Sequence, residues 1–447
     1  MHARKILIYI LFGAFLVSII FSFYYRISPT VDAKAYTRIA RNMVAGLGYI
    51  EHIENTGRIT NDDAIVRVGP GYEFFLAGLY LVTGGQNLPI VWVAQALLRV
   101  LTAFFIYKIA LLLFSEHENR TRIALLAAGI IGFFPDLVVI GGMLLAETLF
   151  LTLLAAALYF SLLLLKDGRR SHLYFASILW GLAALVRPTA IPMVFLLAVV
   201  LIYRKNWASA AIVLIATILF IGGWSVRNSL VYGRPLFTTT AGSYALWVGN
   251  NAGATGGYDK TPQIQELIDK YHSIELSKKA FGDYFAFLIH RPFKFIELQF
   301  RKTILYFSLL RPMGLWIYLA DKPIDRAITL FASAIATVFL FIAGAAGAYF
   351  YFKEKVCTNL FLFGMIMIQP FVVIPTYVET RYRYPLYIFL ALFAALAVMA
   401  TLQKTISRKI ILWVCLLFFL ISVIDIAYSA QIFRERIKEL RAELVLQ

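Results

Sequence analysis

The feature that most constrains this chain is a series of long apolar stretches that recur along nearly its whole length. A helix needs about 20 mostly apolar residues to cross the hydrocarbon core of a bilayer, and the sequence predicts eleven such spans. Their predicted bounds are 5–23, 88–114, 123–141, 146–165, 173–186, 190–203, 208–224, 327–351, 358–375, 385–401 and 410–425. The fifth and sixth are short and are separated by Arg187-Pro188. We therefore expect an all-α polytopic membrane protein with about 11 transmembrane helices.

Composition excludes several other classes. Hydrophobic residues make up 61% of the chain and charged residues 15%, against about 45–50% and about 25% in soluble domains. A soluble enzyme, a disordered chain and a secreted disulfide scaffold are therefore excluded, and Cys357 and Cys415, both in apolar surroundings, are interpreted as buried hydrophobes. The net charge of +17 does not indicate nucleic acid, because the basic residues fall between apolar stretches, where Lys and Arg meet lipid phosphates. Membrane lipids are expected partners.

The short connecting segments predict the orientation of the chain. Basic residues occur in every second connection, namely in 1–4, 115–122, 166–172, 204–207, 352–357 and 402–409. Because Lys and Arg are enriched in cytoplasmic loops, this pattern predicts a cytoplasmic N-terminus in a plasma (inner) membrane protein. Bulky residues, Phe23-Tyr24-Tyr25-Arg26, follow the first apolar stretch, so it is interpreted as a signal anchor and not a cleaved signal peptide.

Two long segments, 24–87 and 225–326, are then expected on the outer face, as parts of a catalytic domain over 1–425. Ile39, Met43 and Leu47 recur at helical spacing, which predicts an amphipathic helix lying on the membrane surface. The stretch 72–83 is apolar but short, and predicts a second surface or half-inserted helix. Residues 426–447 are interpreted as an amphipathic C-terminal tail.

Polar and aromatic groups gather on the expected outer face. The candidate site residues there are Asp32, Tyr36, Arg67, Tyr72, Glu147, Arg187, Arg227, Asn250, Glu379 and Arg381. Each charge has a simpler interpretation as an interface anchor, and Asp32 has one as a helix cap. Arg99 lies well inside the second span, where an ionisable group is costly and is expected to face a partner or a wet cavity. The six histidines are scattered, so no metal site is predicted; no cofactor is certain, and a need for a divalent metal stays open.

The order of several short motifs resembles that of a known family. The motifs are Asp32-x3-Tyr36, Gly46-x-Gly48, Pro70-Gly71-Tyr72, the span start at Glu147, Leu185-Val-Arg187-Pro188-Thr189, Arg227-Asn228-x4-Gly233, Leu246-Trp247-x-Gly249-Asn250-Asn251 and Glu379-x-Arg381-Tyr382-x-x-Pro385. Over about residues 5–400 the chain resembles the membrane-embedded polyprenyl-phosphate-sugar glycosyltransferases of the C-type superfamily. That superfamily includes protein O-mannosyltransferases and lipid A aminoarabinose transferases.

The resemblance implies a sugar donor linked to polyprenyl phosphate, a lipid, glycan or protein acceptor, and transfer that usually inverts the anomeric centre. It also implies that Asp32 acts as the general base. Forked arginine hydrogen bonds suit a leaving phosphate, and Arg67, Arg187, Arg227 and Arg381 are the candidates for this contact. A multi-span transporter, or a polymerase or ligase of lipid-linked glycans, remains an alternative.

Overall fold

The computed structural model describes residues 2–30, 32–51, 69–233, 235–236, 239, 241–258, 266, 273–310, 319, 321–355 and 360–445, with side chains left out at 232, 241, 273–274, 354–355 and 431–445. Within these ranges the regular structure is helical, without a strand. The α-helices are α1 His2–Tyr25, α2 Asp32–Val44, α3 Gly71–Thr83, α4 Leu88–Leu113, α5 Arg120–Gly132, α6 Pro135–Gly142, α7 Ala146–Asp167, α8 Arg170–Val186, α9 Ile191–Tyr203, α10 Trp207–Tyr232, α11 Ala241–Val248, α12 Ser273–His290, α13 Pro292–Phe307, α14 Pro323–Lys355, α15 Leu360–Val373, α16 Tyr384–Leu402 and α17 Arg408–Val445. Two 3₁₀ turns, Pro188–Ala190 and Thr380–Arg383, precede α9 and α16.

The predicted fold class, an all-α multi-pass membrane protein, is confirmed, but the count of 11 spans is not. Among the described residues, seven helices are long and apolar enough to cross a membrane: α1, α4, α7, α10, α14, α16 and α17. The pair α5–α6, bent by 47°, gives an eighth if it forms one broken span. The other three predicted spans coincide with α8, α9 and α15, which are shorter than 18 residues.

Proline explains two of the interruptions. Proline has no backbone N–H and disfavours the helical conformation of the residue before it. Phe134 is extended (φ −64°, ψ 121°) before Pro135, so the span predicted over 123–141 breaks between α5 and α6. Arg187 is extended (φ −143°, ψ 118°) before Pro188, which confirms the predicted separation of the fifth and sixth stretches.

The centre of the bundle is α16, which is buried along nearly its whole length. It packs against α14, α5, α7 and α15, and α7 in turn packs against α8 and α4. By contrast α1, α10, α14 and α17 keep broad apolar surfaces exposed, as suits helices that face lipid. Because α7 and α16 are central, polar residues at their first turns lie in the middle of one end of the bundle.

Five helices, α2, α3, α11, α12 and α13, lie in the segments predicted for the outer face. Helices α2 and α3 pack against each other, and α3 also contacts α8. At the other end of the sequence, α17 runs without a break from Arg408 to Val445. The boundary predicted at residue 425 therefore falls inside one helix, and the division into domain and tail stays a prediction.

Candidate active site

Five of the predicted site residues meet in one network of charges. Arg381 Nη1 lies 2.8 Å from Asp32 Oδ2 and 3.7 Å from Glu147 Oε1, and Arg381 Nε donates to Glu379 Oε2 at 2.6 Å. Arg187 Nη2 lies 2.6 Å from the same Glu147 oxygen. These two atoms form an ion pair, but the N–H of Arg187 is not aligned for a hydrogen bond to Glu147 Oε1. We call Asp32, Glu147, Arg187, Glu379 and Arg381 the charge cluster.

Each member of the charge cluster lies at a helix end or interruption. Asp32 begins α2 and Glu147 is in the first turn of α7, where the helix dipole favours a carboxylate. Arg187 occupies the extended break after α8, while Glu379 precedes and Arg381 lies within the 3₁₀ turn before α16. Four separate segments of the chain therefore supply the cluster. The basic-loop pattern assigns all four segments to the same side of the membrane.

The charge cluster has a buried layer and an accessible layer. The side chains of Glu147 and Arg187 are 3% and 10% exposed, whereas those of Asp32, Arg381 and Glu379 are 23%, 21% and 26% exposed. Burial alone would lower the pKa of Arg187, but the neighbouring Glu147 carboxylate raises it above its usual value, so the guanidinium stays charged. A substrate can therefore reach Asp32, Glu379 and Arg381, while the inner pair supports them.

Aromatic rings surround the cluster. The Arg187 and Arg381 guanidinium carbons each lie 5.5 Å from the centre of the Tyr382 ring, a distance typical of cation–π contacts. Tyr36 packs edge-on against Tyr72, with ring centres 5.3 Å apart. Burial, and then the charge of Asp32, raise the pKa of Tyr36 far above its usual value. Tyr36 therefore remains a neutral phenol beside the cluster.

Two glycines, Gly69 just before the Pro70-Gly71-Tyr72 motif and Gly249, allow close packing against the segments that carry the arginines. A Cβ on Gly69 would lie 2.0 Å from the Leu185 carbonyl oxygen, two residues before Arg187. A Cβ on Gly249 would lie 1.8 Å from the Thr376 carbonyl oxygen, in the segment that leads to Glu379. A side chain at either position would collide with backbone, so these motifs fix the approach of neighbouring segments.

Asn250 belongs to a buried connection behind the charge cluster. Its Oδ1 accepts hydrogen bonds from Lys302 Nζ and from Gln299 Nε2, both at 2.7 Å, and its Nδ2 donates to the Pro375 carbonyl at 2.8 Å. Lys302 is fully buried and also donates to the Thr376 carbonyl at 2.9 Å. Burial lowers the pKa of Lys302 to about 7. Asn250 is thus a structural neighbour of the segment that carries Glu379 and Arg381.

The remaining candidates lie elsewhere. Arg227 Nη2 donates to the Tyr49 carbonyl at 3.1 Å, and its guanidinium lies over the Trp224 and Tyr49 rings. Arg99 is buried within α4, where it donates to Ser18 Oγ and, at 2.9 Å, to the Gly132 carbonyl. Its hydrogen bonds to described residues thus join α4 to α1 and α5, away from the cluster. Arg67 falls outside the described residues.

Sequence reasoning did not single out several residues in and around the candidate site. Lys302 follows Arg301 in an amphipathic helix, and nothing in its neighbours signals burial. Tyr382 stands next to Arg381, and the sequence marks it only as part of the Glu379-x-Arg381-Tyr382 motif. Glu73, which is fully buried and accepts a hydrogen bond from Tyr49 Oη at 3.0 Å, directly follows the Pro70-Gly71-Tyr72 motif. Among the described residues no group of three or more His, Cys, Asp or Glu side chains could hold a metal ion.

The chain matches one family model, and several solved structures are similar to it. Residues 67–224 match the family model described as dolichyl-phosphate-mannose-protein mannosyltransferase. This segment includes Glu147 and Arg187 but not Asp32, Glu379 or Arg381. No curated protein sequence matches the chain.

One similar structure is the oligosaccharyltransferase of Archaeoglobus fulgidus in complex with Zn and sulfate, which is 14% identical, with a TM-score of 0.47. The match covers 94% of this chain and 53% of the archaeal chain, so the protein spans about half the length of that relative. The second is ArnT from Cupriavidus metallidurans bound to undecaprenyl phosphate, which is 14% identical with a TM-score of 0.38, and the match covers 89% of this chain and 78% of ArnT. Residues 67–224 carry the sequence pattern of the dolichyl-phosphate-mannose-protein mannosyltransferase family. This sequence match confirms the resemblance to polyprenyl-phosphate-sugar glycosyltransferases over that segment.

Proposed function

We propose that this protein is a membrane glycosyltransferase that moves a sugar from a polyprenyl-phosphate donor to an acceptor hydroxyl. The observation that carries the proposal is the charge cluster, in which accessible Asp32 lies 2.8 Å from Arg381 and is supported by the buried Glu147–Arg187 pair. The family match over residues 67–224 supports the choice of a lipid-linked sugar donor. The acceptor is a lipid, a glycan or a protein.

The proposed reaction is a single displacement with inversion. The acceptor oxygen attacks the anomeric carbon from the face opposite the phosphate, and a new C–O bond forms as the bond to the phosphate oxygen breaks. Polyprenyl phosphate leaves with the electron pair, and Asp32 takes the proton of the acceptor hydroxyl. A carboxylate fits this role because a general base must lie within hydrogen-bond reach of the proton that it removes, and the Asp32 side chain is accessible.

Arg381 has two roles in this proposal. Its contact with Asp32 orients the base, and its guanidinium is exposed enough to exchange a carboxylate contact for a phosphate oxygen. Charge-assisted arginine contacts are strong in a low-dielectric site, where they stabilise charge that develops on a leaving group. Arg187 faces Glu147 in the buried layer, so we assign it a positioning role in place of the direct phosphate contact that the sequence suggested.

We further propose that the site faces the outside of the cell and that the N-terminus is cytoplasmic. The basic loops support this orientation, and so does the meeting of Asp32, Glu147, Arg187 and Arg381, since all four lie at ends that this topology assigns to the outer face. Single cysteines introduced at positions 55 and 260 should react with an impermeant maleimide in intact cells. Labelling that requires permeabilisation would reverse the orientation.

The test of the activity compares Asp32→Asn with Asp167→Asn, a control at the opposite end of α7. Each purified variant, in nanodiscs, receives radiolabelled polyprenyl-phosphate hexose or pentose together with a cell-envelope extract as acceptor. We expect Asp32→Asn to lower turnover by roughly 10²–10⁴-fold and to leave donor binding within a few-fold. Asp167→Asn should transfer sugar like the unmodified protein. Normal transfer by folded Asp32→Asn would end its assignment as the base.

A further inference from the structure

A groove at the end of the molecule opposite the charge cluster has the character of a lipid site. It lies between the start of α1, the last third of α4 and the start of α5, and has a volume of about 580 Å³. Asp32 follows the other end of α1, and a helix of 24 residues is about 36 Å long. The groove is therefore remote from the proposed active site.

The lining of the groove combines basic and apolar side chains. Arg4, Lys108 and Arg120 contribute three positive charges, and no carboxylate is among the described residues that line it. Glu118, which is close in sequence, accepts hydrogen bonds from Gln403 and from Asn119. The basic charge of the groove is thus not neutralised by its own walls.

The arrangement of these side chains matches the two parts of a phospholipid. Lys108 lies five residues before the end of α4, about 7.5 Å deeper along the helix than Leu113, while Arg4 and Arg120 are exposed at the rim. Leu7, Phe104 and Leu111 supply apolar wall beside them. A phosphate at the rim can therefore meet cations while acyl chains lie along apolar surface.

We propose that this groove binds an anionic phospholipid, with Arg4, Lys108 and Arg120 around the lipid phosphate. Basic pockets between transmembrane helices on the cytoplasmic side are suited to anionic lipid headgroups, and the basic-loop pattern assigns this end of the bundle to the cytoplasm. The volume lies within the roughly 300–1,000 Å³ typical of small-molecule sites. The proposal is independent of the transferase activity.

The test measures lipid retention. The full chain is placed in nanodiscs that contain phosphatidylcholine and phosphatidylglycerol. Native mass spectrometry then releases the protein into the gas phase and counts the lipids that stay bound to it. The double variant Lys108→Gln/Arg120→Gln should bind phosphatidylglycerol roughly 30-fold more weakly, as expected for the loss of two basic contacts at a membrane surface. The control Lys166→Gln/Arg170→Gln removes the same charge from exposed positions on the same predicted face, outside the groove, and should retain the lipid.

A second variant tests the shape of the groove without removing a charge. Leu111→Trp fills the apolar wall and should also displace the lipid, and thermal unfolding in detergent reports whether each variant is folded. Retention of phosphatidylglycerol by the folded double variant would overturn the proposal. Equal retention of phosphatidylcholine by the unmodified protein would also overturn it. Displacement of the lipid by inorganic phosphate, at concentrations that saturate the groove, would overturn it too and would indicate a site for a soluble anion.

Discussion

Glu147 provides the sharpest test of the charge cluster, because Glu147→Gln keeps its size and removes one charge. The carboxylate is 3% exposed and lies 2.6 Å from Arg187 and 3.7 Å from Arg381. At an effective dielectric constant of about 20 these contacts correspond to roughly 6 and 4 kcal/mol of gross Coulomb attraction. Desolvation of the ions offsets several kcal/mol each, and breaking a buried pair typically costs a net 3–5 kcal/mol, because it leaves the partner charge uncompensated.

We therefore expect Glu147→Gln to lower the free energy of unfolding by about 3–5 kcal/mol, whereas Asp32→Asn, at a more exposed position, should cost about 1 kcal/mol or less. Thermal unfolding in detergent, followed by intrinsic tryptophan fluorescence, measures both. The double variant Glu147→Gln/Arg187→Gln should recover part of the loss, because it removes the orphaned cation. Glu118→Gln is the control, an exposed carboxylate at the opposite end of the bundle. An unchanged unfolding temperature for Glu147→Gln would refute the idea that this pair holds α7 and the break after α8 together.

Two further predictions concern the connection behind the cluster. Because burial lowers the pKa of Lys302 to about 7 from 10.5, the unfolded chain binds more protons between these values. Stability should therefore rise with pH across this window, by up to about 1.4 kcal/mol per pH unit. Lys302→Met should abolish the rise in unfolding temperature between pH 7 and pH 9, and an identical slope in both proteins would contradict a depressed pKa. Gly249→Ala should lower both stability and sugar transfer, since its Cβ would collide with the Thr376 carbonyl, whereas Gly223→Ala, where a Cβ meets nothing within 4 Å, should be neutral in unfolding and transfer assays.

The sequence predicted the apolar helices well and the site contacts poorly, for a physical reason. Hydropathy and proline are local signals, so the helix positions and the break at Arg187-Pro188 could be found without a structure. The pairing of Glu147 with Arg187, or of Asp32 with Arg381, depends on how four distant segments pack, which periodicity does not encode. The same limit hid Lys302, whose burial is set by Asn250 and the 375–376 carbonyls. It also explains why Arg227, although on the expected face, is held by Tyr49 and not by the cluster.

The net charge of the cluster leads to a last prediction about donor binding. Three carboxylates and two guanidiniums leave the cluster with a formal charge of −1, which repels an anionic donor phosphate. Further cations must therefore compensate, and Arg227 is the remaining described arginine among the four candidates for the phosphate contact. We expect Arg227→Gln to weaken binding of the polyprenyl-phosphate sugar about tenfold, as for the loss of one charge-assisted contact. Arg187→Gln should mainly lower stability, since Arg187 is occupied by Glu147. Equilibrium binding of radiolabelled donor to both folded variants distinguishes the roles, and a larger binding defect in Arg187→Gln than in Arg227→Gln would show that the buried layer itself meets the phosphate.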